Sequence, residues 1–128
     1  MLDTNVVSHI MQGRDAALLA RLTHVPVGQV VISSITLAEL TYGLHRKGQP
    51  ARLKNAMTQV LLRMDVLPWD ETVATCYGEF CTLLETRGIN LSDFDMMIAA
   101  HAVAVDATLV SRDKAFAKVP ERLRLEIW

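Results

Sequence analysis

The chain has 128 residues, 51% of them hydrophobic, and a formal net charge of -1. That length suits one domain over residues 1–128 with a real core, and the near-neutral charge excludes a global basic field drawing the protein to nucleic acid or anionic lipid, so any such contact must be local. No apolar stretch approaches membrane-spanning length without a charge, and no leader is visible around Asp3, so a cytosolic protein is expected.

In chain order, Leu2 ends a very short first strand, and helices are expected over 6–11 and, after Gly13, over 15–22. Pro26 and Gly28 break the pattern before an apolar, β-branched strand over 30–33. A helix over 36–47 stops near Gly48 and Pro50, and another follows over 51–64. A strand over 65–67 precedes Pro68, and a long helix over 71–87 ends at Gly88, a C-terminal capping glycine. The stretch 92–105 is a helix with almost no polar face, hence buried on most sides. A strand over 108–111, one helical turn over 113–117 and a last strand over 123–127 complete the chain. Short strands alternating with helices imply an α/β fold, a parallel sheet with helices packed on it.

Cys76 and Cys81 lie five apart in one helix, on different faces, so neither a disulfide nor a thiolate metal site is expected. His9, His24, His45 and His101 show no metal-ligand spacing, and His101 is expected to be hydrogen-bonded in the core or at an interface. Trp69 and Trp128 read as packing residues, and Tyr42 and Tyr77 carry no signal.

Acids carry the information. Asp3, Glu39, Asp93, Asp95 and Asp113 each sit where a strand-like or apolar run gives way to a helix. Singly, each has a capping explanation. Asp3 or Asn5 caps the first helix, Thr36 to Glu39 fits a capping box, Asp93 and Asp95 suit a first helical turn, and Asp113 caps the turn before Phe116. Jointly, they fall at what should be the carboxyl edge of one parallel sheet, where ligand sites form in open α/β folds. Capping does not require acids to meet; binding a hard divalent cation does. Oxygen-only ligands select magnesium, manganese or calcium over zinc, and the natural chemistry is phosphodiester hydrolysis. Asn5, Ser8 and Ser111 are placed to orient carboxylates or waters, with local turn and cap hydrogen bonds an equal alternative. Basic residues cluster at Arg46-Lys47 with Arg52 and Lys54, and at Arg112 and Lys114. Each cluster alone reads more simply as a solvated helix end, although Arg112 and Lys114 flank Asp113 and are placed to meet a phosphate.

Met1-Leu2-Asp3-Thr4-Asn5 resembles the opening of PIN-domain ribonucleases of the VapC toxin type. So do Ser33 to Leu40 with Tyr42-Gly43, Val66 to Asp70, Asp95 to Ala102, and Thr108 to Asp113 with Phe116 and Val119-Pro120. The similarity runs in order over nearly the whole chain to Trp128. It implies a three-layer α/β/α PIN-like fold and a Mg²⁺- or Mn²⁺-dependent endoribonuclease, the toxin of a type II toxin-antitoxin pair. The matched acids are Asp3, Glu39, Asp95 and Asp113. Asp3 and Asp95 would be the main metal ligands, with Glu39 and Asp113 holding the metal directly or through water and positioning the attacking water. Asp93 is an additional acid that either tunes the site or faces solvent. The implied partners are a VapB-like antitoxin, operator DNA through the antitoxin complex, a second copy in a homodimer, and transfer or ribosomal RNA as substrate. Arg46, Lys47 and Arg112 are the expected RNA contacts.

The rival from another class is a non-catalytic PIN-like binding module acting through an antitoxin or DNA partner, with the acids as caps. An aspartyl phosphatase using Asp3 as nucleophile ranks lower. Its general acid would stand two residues on, where Asn5 has no carboxyl proton to give.

Overall fold

The computed structural model describes residues 1–119 and 122–128. Pro120, part of the last matched motif, lies outside the described residues. The elements are α1 (Thr4–Gln12), α2 (Ala16–His24), β1 (Val31–Ser33), α3 (Ser34–Arg46), α4 (Ala51–Leu61), β2 (Asp65–Leu67), α5 (Glu71–Thr86), α6 (Asp93–Ala104), β3 (Leu109–Val110), a 3-10 turn (Lys114–Lys118) and β4 (Leu125–Glu126). β1 pairs with β2 and β3 with β4, both in parallel. Leu2 joins the two pairs, bridging Ile32 on one side and Val110 on the other, again in parallel. The lateral order is therefore β2, β1, Leu2, β3, β4.

Alternation along these short strands sends side chains to both faces. Leu2, Ile32 and Val110 pack with Val6, Val7 and Ile10 of α1, Leu18 and Leu22 of α2, Leu40 of α3 and Val60 of α4. On the other face Met1 and Leu109 pack with Phe80 and Leu84 of α5 and Ile98 to Ala100 and Ala102 of α6. The result is the expected three-layer α/β/α arrangement. Leu2 holds its centre, only 1% exposed, and truncating a leucine at such a site costs about 2–5 kcal/mol. The alanines of α6 share this core layer with Leu109, and the helix begins at Asp93, so Asp95 lies in its first turn.

The caps explain where the elements begin. Asp3, not Asn5, caps α1, accepting from the Val6 N–H at 2.6 Å. Asp15, Asp70 and Ser92 cap α2, α5 and α6 in the same way. Gly88, as expected, follows α5 with φ 66°, a left-handed conformation that glycine adopts without a side-chain clash. One expectation fails. Thr36 is not a cap, because Ser33, at the end of β1, already accepts from the Ile35 N–H at 3.1 Å and starts α3 two residues earlier. No capping box forms, Thr36 is buried inside the helix, and Glu39 is released for another role.

Both cysteines are free thiols, as expected. Trp69 packs edge-on against Tyr77, ring centroids 5.7 Å apart, and Trp128 lies against the core. Among the described residues no helix is long and apolar enough to cross a membrane.

Candidate active site

Parallel strands bring their carboxyl ends to one edge, and the acids gather there from separate segments. Asp3 leaves the central bridge at Leu2 and is only 2% exposed. One carboxylate oxygen takes the Val6 N–H, and the other accepts from the Ser111 hydroxyl at the end of β3. Ser111 Oγ also accepts from the Asp113 N–H at 3.0 Å. One serine thus links the first acid to the backbone of the fourth, and Asp113 turns its own carboxylate to the Ala115 N–H at 2.8 Å. Glu39, half-buried on α3, accepts from Thr4 Oγ1 at 2.5 Å, which ties it to the residue beside Asp3. Asp95, in the first turn of α6, accepts from Ser92 Oγ at 2.6 Å.

Burial pushes the Asp3 carboxyl above its ordinary value. The Ser111 and Val6 hydrogen bonds pull it back, and the charges of Asp95 and Asp113 push it further up. Acids from three separate segments therefore lie within electrostatic reach of one another. Capping alone has no use for that repulsion. Among the described residues, no three His, Cys, Asp or Glu side chains stand together in positions that could hold a metal ion as they are. The donor chemistry suits a hard cation that keeps part of its water shell, because every available donor is oxygen.

The remaining expected residues divide. Ser111 sits at the centre, as described. Ser8 is half-buried and lines a hollow of about 390 Å³ with Glu39, Arg14 and Lys47. Asn5 is exposed on α1, where Asp3 has taken the cap. Asp93 is exposed too, and its charge bears on Tyr77. Arg46 lines a second hollow of about 520 Å³ that also includes Thr4, Glu39 and Gly43. The two hollows share those three residues and form one cleft running past Glu39. Arg112 is engaged within the chain. Its guanidinium meets Asp15 at 2.7 Å and the Trp128 carbonyl, clamping the chain end to the cap of α2. These partners are distant in sequence and give the guanidinium an opposite charge and a hydrogen-bond acceptor within the chain.

Behind the acids, His101 is buried on α6 with Nδ1 2.8 Å from Ser33 Oγ. Ser33 caps α3, so this contact ties the helix carrying Asp95 to the one carrying Glu39. Burial lowers the His101 pKa, against the pull of Asp70. Two functional candidates gave no signal in the sequence. Tyr42 on α3 and Phe94 on α6, 65% and 51% exposed, both line the larger hollow. The one available hint was Phe94's place between Asp93 and Asp95, in a turn where an apolar ring has no core to enter.

The PIN domain family model matches residues 1–122, and this chain belongs to that family. Within it, the chain falls among proteins of the VapC type. It is 32% identical to the Ribonuclease VapC2 of Rickettsia felis, covering 100% of this chain and 96% of that protein. It is also 32% identical to the tRNA(fMet)-specific endonuclease VapC of Shigella flexneri, with the same coverage of 100% and 96%. Among solved structures it superposes on the crystal structure of VapBC2 from Rickettsia felis bound to a promoter DNA fragment. The TM-score is 0.93 at 31% identity, covering 100% of this chain and 97% of that one.

Proposed function

We propose that this protein is a Mg²⁺- or Mn²⁺-dependent endoribonuclease, the toxin of a toxin-antitoxin pair in the cytoplasm, with residues 1–128 as one catalytic domain. The observation that carries this reading is the buried carboxylate of Asp3, linked through Ser111 to the backbone of Asp113 after β3 and facing the charges of Asp113 and of Asp95 in the first turn of α6. Such a cluster is electrostatically unfavourable when empty and is relieved by a divalent cation. The names of the VapC relatives support the same activity.

Asp3 and Asp95 would be the main holders of the ion, with Glu39 and Asp113 supporting it directly or through water. When bound, the ion supplies positive charge for the phosphate and a more acidic water. The chain's own residues do the rest. Ser111 keeps one Asp3 oxygen fixed while the helix cap fixes the other. Thr4 orients Glu39 and Ser92 orients Asp95, so the carboxylates need little rearrangement to receive a proton or direct a water. Arg46 and Lys47, each in a hollow that Glu39 also lines, would meet phosphates of the RNA backbone. Transfer or ribosomal RNA is the substrate class we favour, the Shigella flexneri relative being named for tRNA(fMet). A VapB-like antitoxin, a homodimeric toxin and promoter DNA reached through the antitoxin complete the assembly, consistent with the DNA-bound VapBC2 complex.

The test is cleavage of total transfer and ribosomal RNA by purified protein with Mg²⁺, with EDTA, and with the Asp95→Asn variant. Cleavage only by the Mg²⁺-loaded wild type supports the reading, and undiminished cleavage in EDTA overturns it.

A further inference from the structure

The larger hollow beside the acids has a feature that neither metal binding nor core packing requires. Tyr42 and Phe94 come from different helices, remain more than half exposed, and line the same groove of about 520 Å³. Phe94 has no polar handle to account for its place in water, and it stands in an acidic turn. Thr4 and Glu39 form part of the same wall, so the groove is continuous with the candidate active site. Arg46 also lines it, with its guanidinium carbon 5.9 Å from the Tyr42 ring centroid.

We propose that Tyr42 and Phe94 form a stacking subsite for an unpaired nucleobase of RNA, adjacent to the phosphodiester presented to the acids, with Arg46 meeting the neighbouring phosphate. The proposal rests on the RNA-cleaving function above and specifies what that site selects. Aromatic rings stack on any base that has left a helix, and unpaired loops offer such bases whereas an A-form duplex hides them. A net charge of -1 gives little general attraction for a duplex. Within the groove, Arg46 offers one cation to an anionic backbone, next to the opposite charge of Glu39. The enzyme would thus choose single-stranded loops by the faces of their bases and place the attached phosphate at Asp3 and Asp95.

Fluorescence anisotropy of the full-length protein in EDTA tests this, using labelled oligoadenylate of about 12 nucleotides and an oligomer of the same length with abasic internal positions. Stacking predicts that Tyr42→Ala and Phe94→Ala each weaken oligoadenylate binding about fivefold to about a hundredfold. The already weaker binding of the abasic oligomer should not change. Phe94→Trp should retain affinity and show emission quenched by oligoadenylate but not by a duplex. Because both side chains are largely in solvent, thermal unfolding of the variants should stay near the wild type. Wild-type affinity in both alanine variants overturns the proposal, as does an equal loss on the abasic oligomer, or no oligoadenylate binding by the wild type. Loss of affinity for a VapB-type antitoxin with RNA binding intact also overturns it, since the groove would then seat a peptide. Base-dependent binding by a protein that fails to cleave any RNA with Mg²⁺ would instead sink the nuclease reading and leave the subsite standing.

Discussion

Ser111 donates its hydroxyl proton to the Asp3 carboxylate while accepting the backbone N–H of Asp113. This buried serine thereby couples two acids that lie at opposite ends of the sequence. Ser111→Ala removes the donor that most strongly favours ionised Asp3. The Asp3 pKa should then rise further, and the acidic limb of the cleavage profile should move to higher pH. An orphaned buried partner costs about 1–3 kcal/mol, so urea unfolding should register the loss while circular dichroism still reports a folded chain.

Asp3→Asn separates function from stability. Asparagine can still accept from the Val6 N–H, so the cap on α1 survives, but the charge is gone. Cleavage should fall by more than the roughly 10- to 100-fold that loss of a supporting residue costs at a metal site. The metal-free variant should nevertheless melt above the wild type. The sign follows from linkage. Asp3 is harder to ionise folded than unfolded, so its unfavourable contribution is absent below the ordinary value of 3.8 and grows as pH rises through the folded value. The advantage of asparagine should therefore vanish below 3.8 and grow as pH rises above it. Asp3→Ala, which also loses the cap, should forfeit about 1 kcal/mol.

His101 acts in the opposite direction. Its folded pKa is lowered by burial, and among the described residues Nε2 has no hydrogen-bond partner, so an imidazolium would bury an N–H without an acceptor. The unfolded chain binds the extra proton first. Stability should fall as pH drops below the ordinary value of 6.5 and continue falling until the depressed folded value is reached. The slope from this group is at most about 1.4 kcal/mol per pH unit. Unfolding free energies at acidic and neutral pH should show a shallower acid loss in His101→Gln than in the wild type.

Gly43 lies inside α3 at the junction of the two hollows, and a Cβ there would meet nothing within 4 Å. Gly43→Ala should stabilise the protein by about 0.5–1 kcal/mol through helix propensity, seen as a few degrees in thermal melting. Gly43→Leu keeps the helix but fills the passage beside Glu39, and RNA cleavage should slow while the melting temperature does not fall.

Much of this was legible in the sequence because the strongest constraints are local. The β-branched and apolar runs located the short strands, the polar-free stretch around Ile98 marked the helix under the sheet, and the acids marked helix starts. What failed was competition between nearby alternatives. Ser33 and Thr36 are both good caps, and only the end of β1 decides for Ser33. That choice moved the start of α3 and left Glu39 free to reach Thr4. Arg112 shows the same limit at longer range. Asp113 is its neighbour in sequence, but Asp15 and Trp128 are its partners in space. Tyr42 was silent because an aromatic residue on a helix looks the same in sequence whether it enters the core or faces a groove, and Phe94 showed itself only through the two acids beside it.

The account stands most directly on a Mn²⁺ titration followed by thermal unfolding of the wild type and of Asp95→Asn. A specific ion held by Asp3 and Asp95 predicts a saturable rise in the wild-type melting temperature, equivalent to about 2.7 kcal/mol at a hundredfold excess over the dissociation constant. The variant should show little or none. A wild-type curve that stays flat, or rises identically in the variant, would contradict a metal centre built on these carboxylates.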